Sequence, residues 1–358
     1  MAGIRPYESD SAMPSNARAT HLTRRGLLAT GGALGLGAAL AACGGKDKAA
    51  EKPGGEGGAE KSGPWKFTDD RGVVAEAKST PRNIVAFTGM AAALHDFGVE
   101  VKGVFGPTKT ADGKPDVQAG DLDISKVKII GNVWGEFNLE EYIKLQPEVL
   151  ITDMWEKDAL WYVPDESKDK ILKLAPSVAL WAADQSMPKV IQRHVELAES
   201  LGGDVESKKV TDSKARFEAA AARLRAAAKA KPEIKVLIGS ASADLFYVST
   251  PVRPTDTLYF KELGVNLVVP GKLDQGGWFE GLSWENVDKY KADIIMMDNR
   301  TSAIQPKDLA SKPTWAQLPA VKAGQVIPRV TEPIYSYEKC APLLEDLAKA
   351  IENAKKVA

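Results

Sequence analysis

Residues 138–153 read NLEEYIKLQPEVLITD and residues 283–298 read SWENVDKYKADIIMMD, and the two runs align without a gap. Glu140 meets Glu285, Lys144 meets Lys289, and each run ends as an apolar strand pattern closed by an aspartate, Asp153 or Asp298. Asn138 and Ser283 both stand at a helix N-cap position, where a side-chain oxygen satisfies a free backbone N–H. A second echo sets Asp96-Phe97-Gly98-Val99 against Glu262-Leu263-Gly264-Val265. In both, a helix ends at glycine and turns into a strand. The chain is therefore expected to fold as two halves of like architecture.

Strand patterns at residues 83–87, 102–105, 128–130, 149–152, 235–239, 294–297 and 325–327 alternate with helical ones, which places the chain in the α/β class. Residues 208–231 hold a run of alanine and arginine uninterrupted by glycine or proline, so a helix of about 30 Å is expected there. A surface helix of one lobe is the plainer alternative to a rod between lobes. The expected architecture is two Rossmann-like α/β lobes, residues 65–207 and 232–358, joined by one long helix over a cleft. Such a rod permits modest tilting rather than wide closure.

Ahead of the folded body, Arg24-Arg25 precede an uncharged run, residues 27–42. That run is shorter than the roughly 20 apolar residues a membrane span needs, and it reads as a signal peptide with a twin-arginine export pattern over residues 1–42. Leu40-Ala41-Ala42-Cys43 resembles the lipobox of bacterial lipoproteins, which implies acylation of Cys43 and a membrane anchor. Residues 43–64, rich in Gly, Lys, Glu and Ala, read as a flexible tether.

The formal net charge of −1 gives no basic field for nucleic acid. Of three histidines, only His95 and His194 follow the signal. These are too few for direct capture of a metal ion by imidazole, so no metal ligands or cofactors are expected. Each histidine reads as a satisfied helix-face residue. Cys340, the second of two cysteines, reads as a small packed side chain.

Several segments together, from about Pro81 onward, resemble the periplasmic binding proteins of ATP-driven importers for siderophores, haem and cobalamin. They are Pro81-Arg82-Asn83-Ile84-Val85-Ala86, Phe97-Gly98-Val99 with Gly103-Val104, Asn138-Leu139-Glu140, Glu148-Val149-Leu150-Ile151, and Trp315-Ala316-Gln317-Leu318-Pro319. More narrowly, residues 87–99 and 160–170 resemble actinobacterial lipoproteins that bind ferrioxamine-type trihydroxamates. The resemblance implies a monomeric capture protein that is not an enzyme, with a ferric siderophore as cargo and an ABC permease and its ATPase as partners. It also implies one exposed acid on each lobe to meet the permease, in the positions of Glu140 and Glu285. An acid there also suits the helix dipole.

A pre-chelated ferric complex asks for flat apolar walls and a few donors. Aromatics in strand-end segments are the candidates: Trp134, Trp155, Trp161 and Tyr162 on one half, Trp278 and Phe279 on the other, with Tyr335 and Tyr337 between prolines and a helix. Arg300 and Arg253 are the candidate donors. Phe87 and Phe246 are outlying members, since both also read as strand core. Trp65, Trp181, Trp284 and Trp315 read as core. So few arginines argue against a triply anionic triscatecholate and for a hydroxamate complex. The alternatives are haem, cobalamin or ferric citrate as cargo, or an exported enzyme or sensor on the same body. No nucleophile elbow, zinc-protease helix or phosphate loop is present in the sequence.

Overall fold

A computed structural model describes residues 63–358. The signal segment, Cys43 and the tether as far as residue 62 lie outside the described residues. The first lobe opens with an antiparallel pair, β1 (Trp65–Thr68) and β2 (Val74–Ala77). Then follow β3 (Ile84–Phe87), α1 (Thr88–Asp96), β4 (Gly103–Phe105), β5 (Lys128–Gly131), α2 (Leu139–Lys144), β6 (Val149–Met154), α3 (Asp165–Leu172), β7 (Ser177–Trp181) and α4 (Met187–Ser200). The main sheet runs β5-β4-β3-β6-β7 and is parallel throughout. Every residue of β3, β4 and β6 is buried, as a parallel sheet covered on both faces requires.

After α5 (Lys208–Ala230) the second lobe comprises β8 (Lys235–Ala241), β9 (Leu245–Ser249), α6 (Thr255–Glu262), β10 (Asn266–Leu267), β11 (Phe279–Ser283), β12 (Ile294–Asp298), α7 (Pro313–Gln317), α8 (Pro319–Lys322), β13 (Val326–Arg329) and α9 (Tyr337–Asn353). Its sheet runs β11-β9-β8-β12-β13, with β10 beside the start of β8. The two lobes are not equal copies. β9 pairs antiparallel with both β8 and β11, because the three residues between β8 and β9 can close a hairpin but cannot make a crossover. The fold is α/β with a parallel first sheet and a mixed second one.

The repeat holds best at the helix ends. Gly98 (φ +82°) and Gly264 (φ +90°) both take the left-handed conformation. Val99 N–H donates to Leu94 and Val265 N–H to Phe260, in the same closing bond. It fails at Ser283. Asn138 caps α2 by accepting from Glu141 N–H at 3.0 Å. Ser283 instead ends β11, and only the 3₁₀ turn Trp284–Asn286 follows, with no side-chain cap bond. The expected second helix is one turn long, since strand pairing to β9 extends to Ser283 itself.

The linking helix is doubled. α9 begins beside the first lobe, where Tyr337 meets Phe97 edge-on and the Ser336 hydroxyl donates to Asp96. It then runs along α5, with Arg216 paired to Glu345 and Arg223 to Glu352. Just beyond it, Lys356 pairs with Asp293 of the second lobe. Phe217, Leu224, Leu344 and Leu347 fill the seam. Two packed helices resist bending more than one.

Cys340 lies fully buried, its thiol donating to the Ile334 carbonyl, and burial pushes its pKa well above the usual thiol range. Trp65, Trp284 and Trp315 are core residues, while Trp181 is half-buried. His95 pairs with Glu100 on the surface, and His194 is buried, donating through Nδ1 to the Val190 carbonyl.

A methyl group added at Gly98 or Gly264 would meet only ordinary contacts, at 3.6 and 4.0 Å, so the cost of substitution there is backbone conformation alone. Gly98→Ala and Gly264→Ala should each lose about 1–2 kcal/mol of stability in urea denaturation. A loss at only one of the two would show that the caps are not equivalent.

Candidate functional site

The ends of the first lobe's strands deliver a row of rings. Phe87, the last residue of β3, stacks on Tyr162 with centroids 5.4 Å apart. Trp134 meets Trp161 and Tyr162 edge-on at 4.9 and 5.0 Å. Trp161 continues to Trp155 at 6.4 Å, and Trp155 reaches Trp278 of the second lobe at 6.1 Å. The Arg253 guanidinium closes the row, 4.2 Å above the Trp278 ring.

Local hydrogen bonds set each ring. Glu136 accepts from the N–H groups of Asn132 and Val133, which shapes the loop carrying Trp134. The loop lifts Trp134 to 59% exposure. The Thr152 hydroxyl donates to the Trp161 carbonyl at 2.8 Å, and Trp161 N–H donates to the Asp153 carbonyl. Tyr162 follows with φ +58°, a conformation costing a bulky residue about 1 kcal/mol or more. On the other lobe Asp274 accepts from Trp278 N–H at 2.9 Å and fixes that turn.

Charged groups fill the spaces between rings. Arg300 donates through Nε and Nη2 to Asp298 and through Nη1 to Glu332. Glu332 also accepts from the Trp161 indole N–H at 3.2 Å and from Gln118 at 2.8 Å, bridging the lobes. It too has a left-handed backbone, φ +58°. Such strain persists only where surroundings hold it, and it gathers at functional sites. Burial would lower the pKa of Arg300, but the carboxylates of Glu332 and Asp298 keep it raised. Burial would raise Asp298, yet the Arg300 guanidinium holds it below the usual carboxylate range. Arg253 pairs with Asp184 at 3.1 Å and Glu156 at 3.3 Å, and Glu156 accepts from the Trp278 indole N–H. Behind the site Arg329 and Asp256 form a buried ion pair.

Trp134, Trp161, Tyr162, Trp278, Arg253, Arg300 and, as a buried floor, Phe87 and Trp155 thus come together. Four candidates do not join the row's surface. Phe246 is wholly buried between Trp284 and Trp315 in the second lobe's core. Phe279 begins β11, where strand alternation turns it away from Trp278 and onto Tyr247. Tyr337 is the first residue of α9 and packs on Phe97 and Phe217 in the helix layer. Tyr335 is buried behind Trp155, its hydroxyl shared with Thr255 at 2.8 Å. It backs the wall without facing the cleft. Glu156, Asp184, Gln118 and Glu332 were not candidates from sequence, although Glu156 adjoins Trp155 and Glu332 follows β13 by three residues.

A model of the family described as periplasmic binding protein matches residues 86–328. The chain belongs to that family. It is also similar to the crystal structure of DesE, a ferric-siderophore receptor protein from Streptomyces coelicolor, at 64% identity and a TM-score of 0.80. That match covers 82% of this chain and all of DesE. A curated relative, the Fe(3+)-citrate-binding protein YfmC of Bacillus subtilis, is 23% identical over 76% of this chain and 80% of its own length. The fold is further shared with the petrobactin-binding protein YclQ of Bacillus subtilis, at 18% identity and a TM-score of 0.60, over 81% of this chain and 99% of YclQ. The chain is accordingly a binding protein and not an enzyme. Among the described residues no helix is long and apolar enough to cross a membrane.

The buried Arg329–Asp256 pair gives a direct test of how the second lobe is held. Asp256→Ala leaves a buried guanidinium without its partner, and the protein should lose about 3–5 kcal/mol of stability in thermal or urea unfolding. A loss under about 1 kcal/mol would show that water reaches Arg329.

Proposed function

We propose that this chain is the capture component of an ABC importer, anchored outside the cytoplasmic membrane through acylated Cys43, and that its cleft takes a ferric hydroxamate siderophore of the ferrioxamine type. The observation that carries this reading is the continuous row of rings from Tyr162 to Trp278, with both neighbouring guanidiniums already paired to carboxylates. In a ferric trihydroxamate the iron is already ligated by oxygen and the rim is alkyl. Flat rings cover such a rim. Each buried aromatic side chain removes about 150–250 Å² from water, roughly 4–6 kcal/mol before ordering costs. Nanomolar binding needs about 12 kcal/mol net; Trp134, 59% exposed, has most of its area still to give, while Trp155 is already covered. A triscatecholate would ask for unpaired cations, and Arg253 and Arg300 have their charges answered. The likeness to a ferric-siderophore receptor at 64% identity supports the same cargo class.

Delivery to the permease would use Glu140 and Glu285. Both are exposed, Glu140 in the first turn of α2 and Glu285 in the 3₁₀ turn after β11. Their equivalent places in the repeat put one acid on each lobe.

Titrating tryptophan fluorescence with ferric complexes tests the cargo. Ferrioxamines should quench strongly at submicromolar concentration, while haem and ferric enterobactin should not. Trp278→Ala should weaken ferrioxamine binding by about 1–3 kcal/mol; unchanged affinity would take Trp278 out of the site. The Glu140→Arg, Glu285→Arg double variant should keep its affinity in solution and lose iron uptake in cells. Full uptake by that variant would rule out docking through these two acids.

A further inference from the structure

The donors of the cleft are already spoken for, and by carboxylates. Arg300 spends Nε and Nη2 on Asp298 and Nη1 on Glu332. The indole N–H of Trp161 and the amide of Gln118 also end on Glu332. Arg253 divides between Asp184 and Glu156, and the indole N–H of Trp278 ends on Glu156. Four carboxylates face two guanidiniums, an excess of two negative charges. The Glu332 side chain is only 10% exposed, so solvent screens it poorly. Its left-handed backbone shows that the fold bears a cost to hold it there.

Resting on the cargo reading above, we propose that Glu156 and Glu332 are the specificity residues of the cleft, selecting ferric complexes with no net negative charge and favouring those with a protonated amino arm. Cargo that enters between the lobes must part Trp278 from Glu156 and Trp161 from Glu332, since these contacts join the lobes. Arg300 keeps both Asp298 and Glu332, since all three lie on the second lobe, and Arg253 stays beside Asp184, whose backbone N–H donates to the Arg253 carbonyl. Each glutamate then faces the cargo with a donor missing. An ammonium group on the cargo restores it. A catecholate oxygen meets a cluster with two more carboxylates than guanidiniums, a juxtaposition that disfavours binding.

The test measures affinity in wild type, Glu156→Gln, Glu332→Gln and the double variant for three probes. They are ferrioxamine B, which ends in a free amine, its N-acetylated derivative, and ferric enterobactin, a triply anionic triscatecholate. Wild type should prefer the amine over the acetylated form by about tenfold, and the double variant should bind the two alike. Enterobactin affinity should rise at least about tenfold in the double variant. Glu156 is partly exposed, so Glu156→Gln is expected to fold whatever happens at Glu332, and thermal melting checks both. An unchanged amine preference together with unchanged enterobactin affinity in folded Glu156→Gln and double variants overturns the proposal. Should wild type bind neither hydroxamate, the cargo reading fails on its own, and the enterobactin arm still decides the charge rule.

Discussion

A guanidinium and two carboxylates that leave water together are the constraint around which the cleft is organised. Stripping solvent from Arg300 alone would be prohibitive; with Asp298 on one side and Glu332 on the other, its donors and its charge are answered. Asp298 closes β12, and Glu332 lies just past β13, so the triad pins the ends of two neighbouring strands. Because Glu332 also takes the Trp161 indole, the same carboxylate sets the spacing of the lobes at one end of the ring row. Glu156, holding Trp278 and Arg253, does so at the other.

Such spacing has meaning only if the lobes cannot drift. α5 and α9 supply that limit, since both helices connect the lobes and share an apolar seam. The exposed arginine–glutamate pairs along the seam set register more than they add stability, because solvent screens them. The stiffness comes from burial of Phe217, Leu224, Leu344 and Leu347. The sequence predicted a single rod because α9 shows the pattern of an ordinary amphipathic terminal helix. Nothing in its periodicity says which neighbour it covers.

What was legible in the chain follows a physical divide. Strand-end loops could be read, and with them the placing of Trp134 and Trp278, because a large ring in an irregular segment beside glycine has little core to enter; Trp155, in a like segment without glycine, is buried. Rings inside regular elements could not be assigned a face. Phe279 and Trp278 are adjacent, and one residue of strand alternation sends them to different surfaces. Tyr337 sits one residue beyond its own N-cap, and the helix rather than the loop determined its direction. Ser283 shows the same limit: the aligned residues matched Asn138, but pairing of β11 with β9 claimed it first. The acids escaped notice because a glutamate in a surface-like sequence looks solvated until distant donors arrive, 97 residues away for Arg253 on Glu156 and 214 for Gln118 on Glu332.

Apolar rings and paired carboxylates stand side by side between the lobes. A row of aromatic faces is permissive, since any greasy rim of the right width is covered by it, and area burial distinguishes poorly between one alkyl chain and the next. Discrimination has to come from groups whose cost of mismatch is high. A carboxylate held at low exposure, as Glu332 is, is such a group. Under the proposed function the rings would set how tightly a complex is held, and the glutamates which charge is admitted.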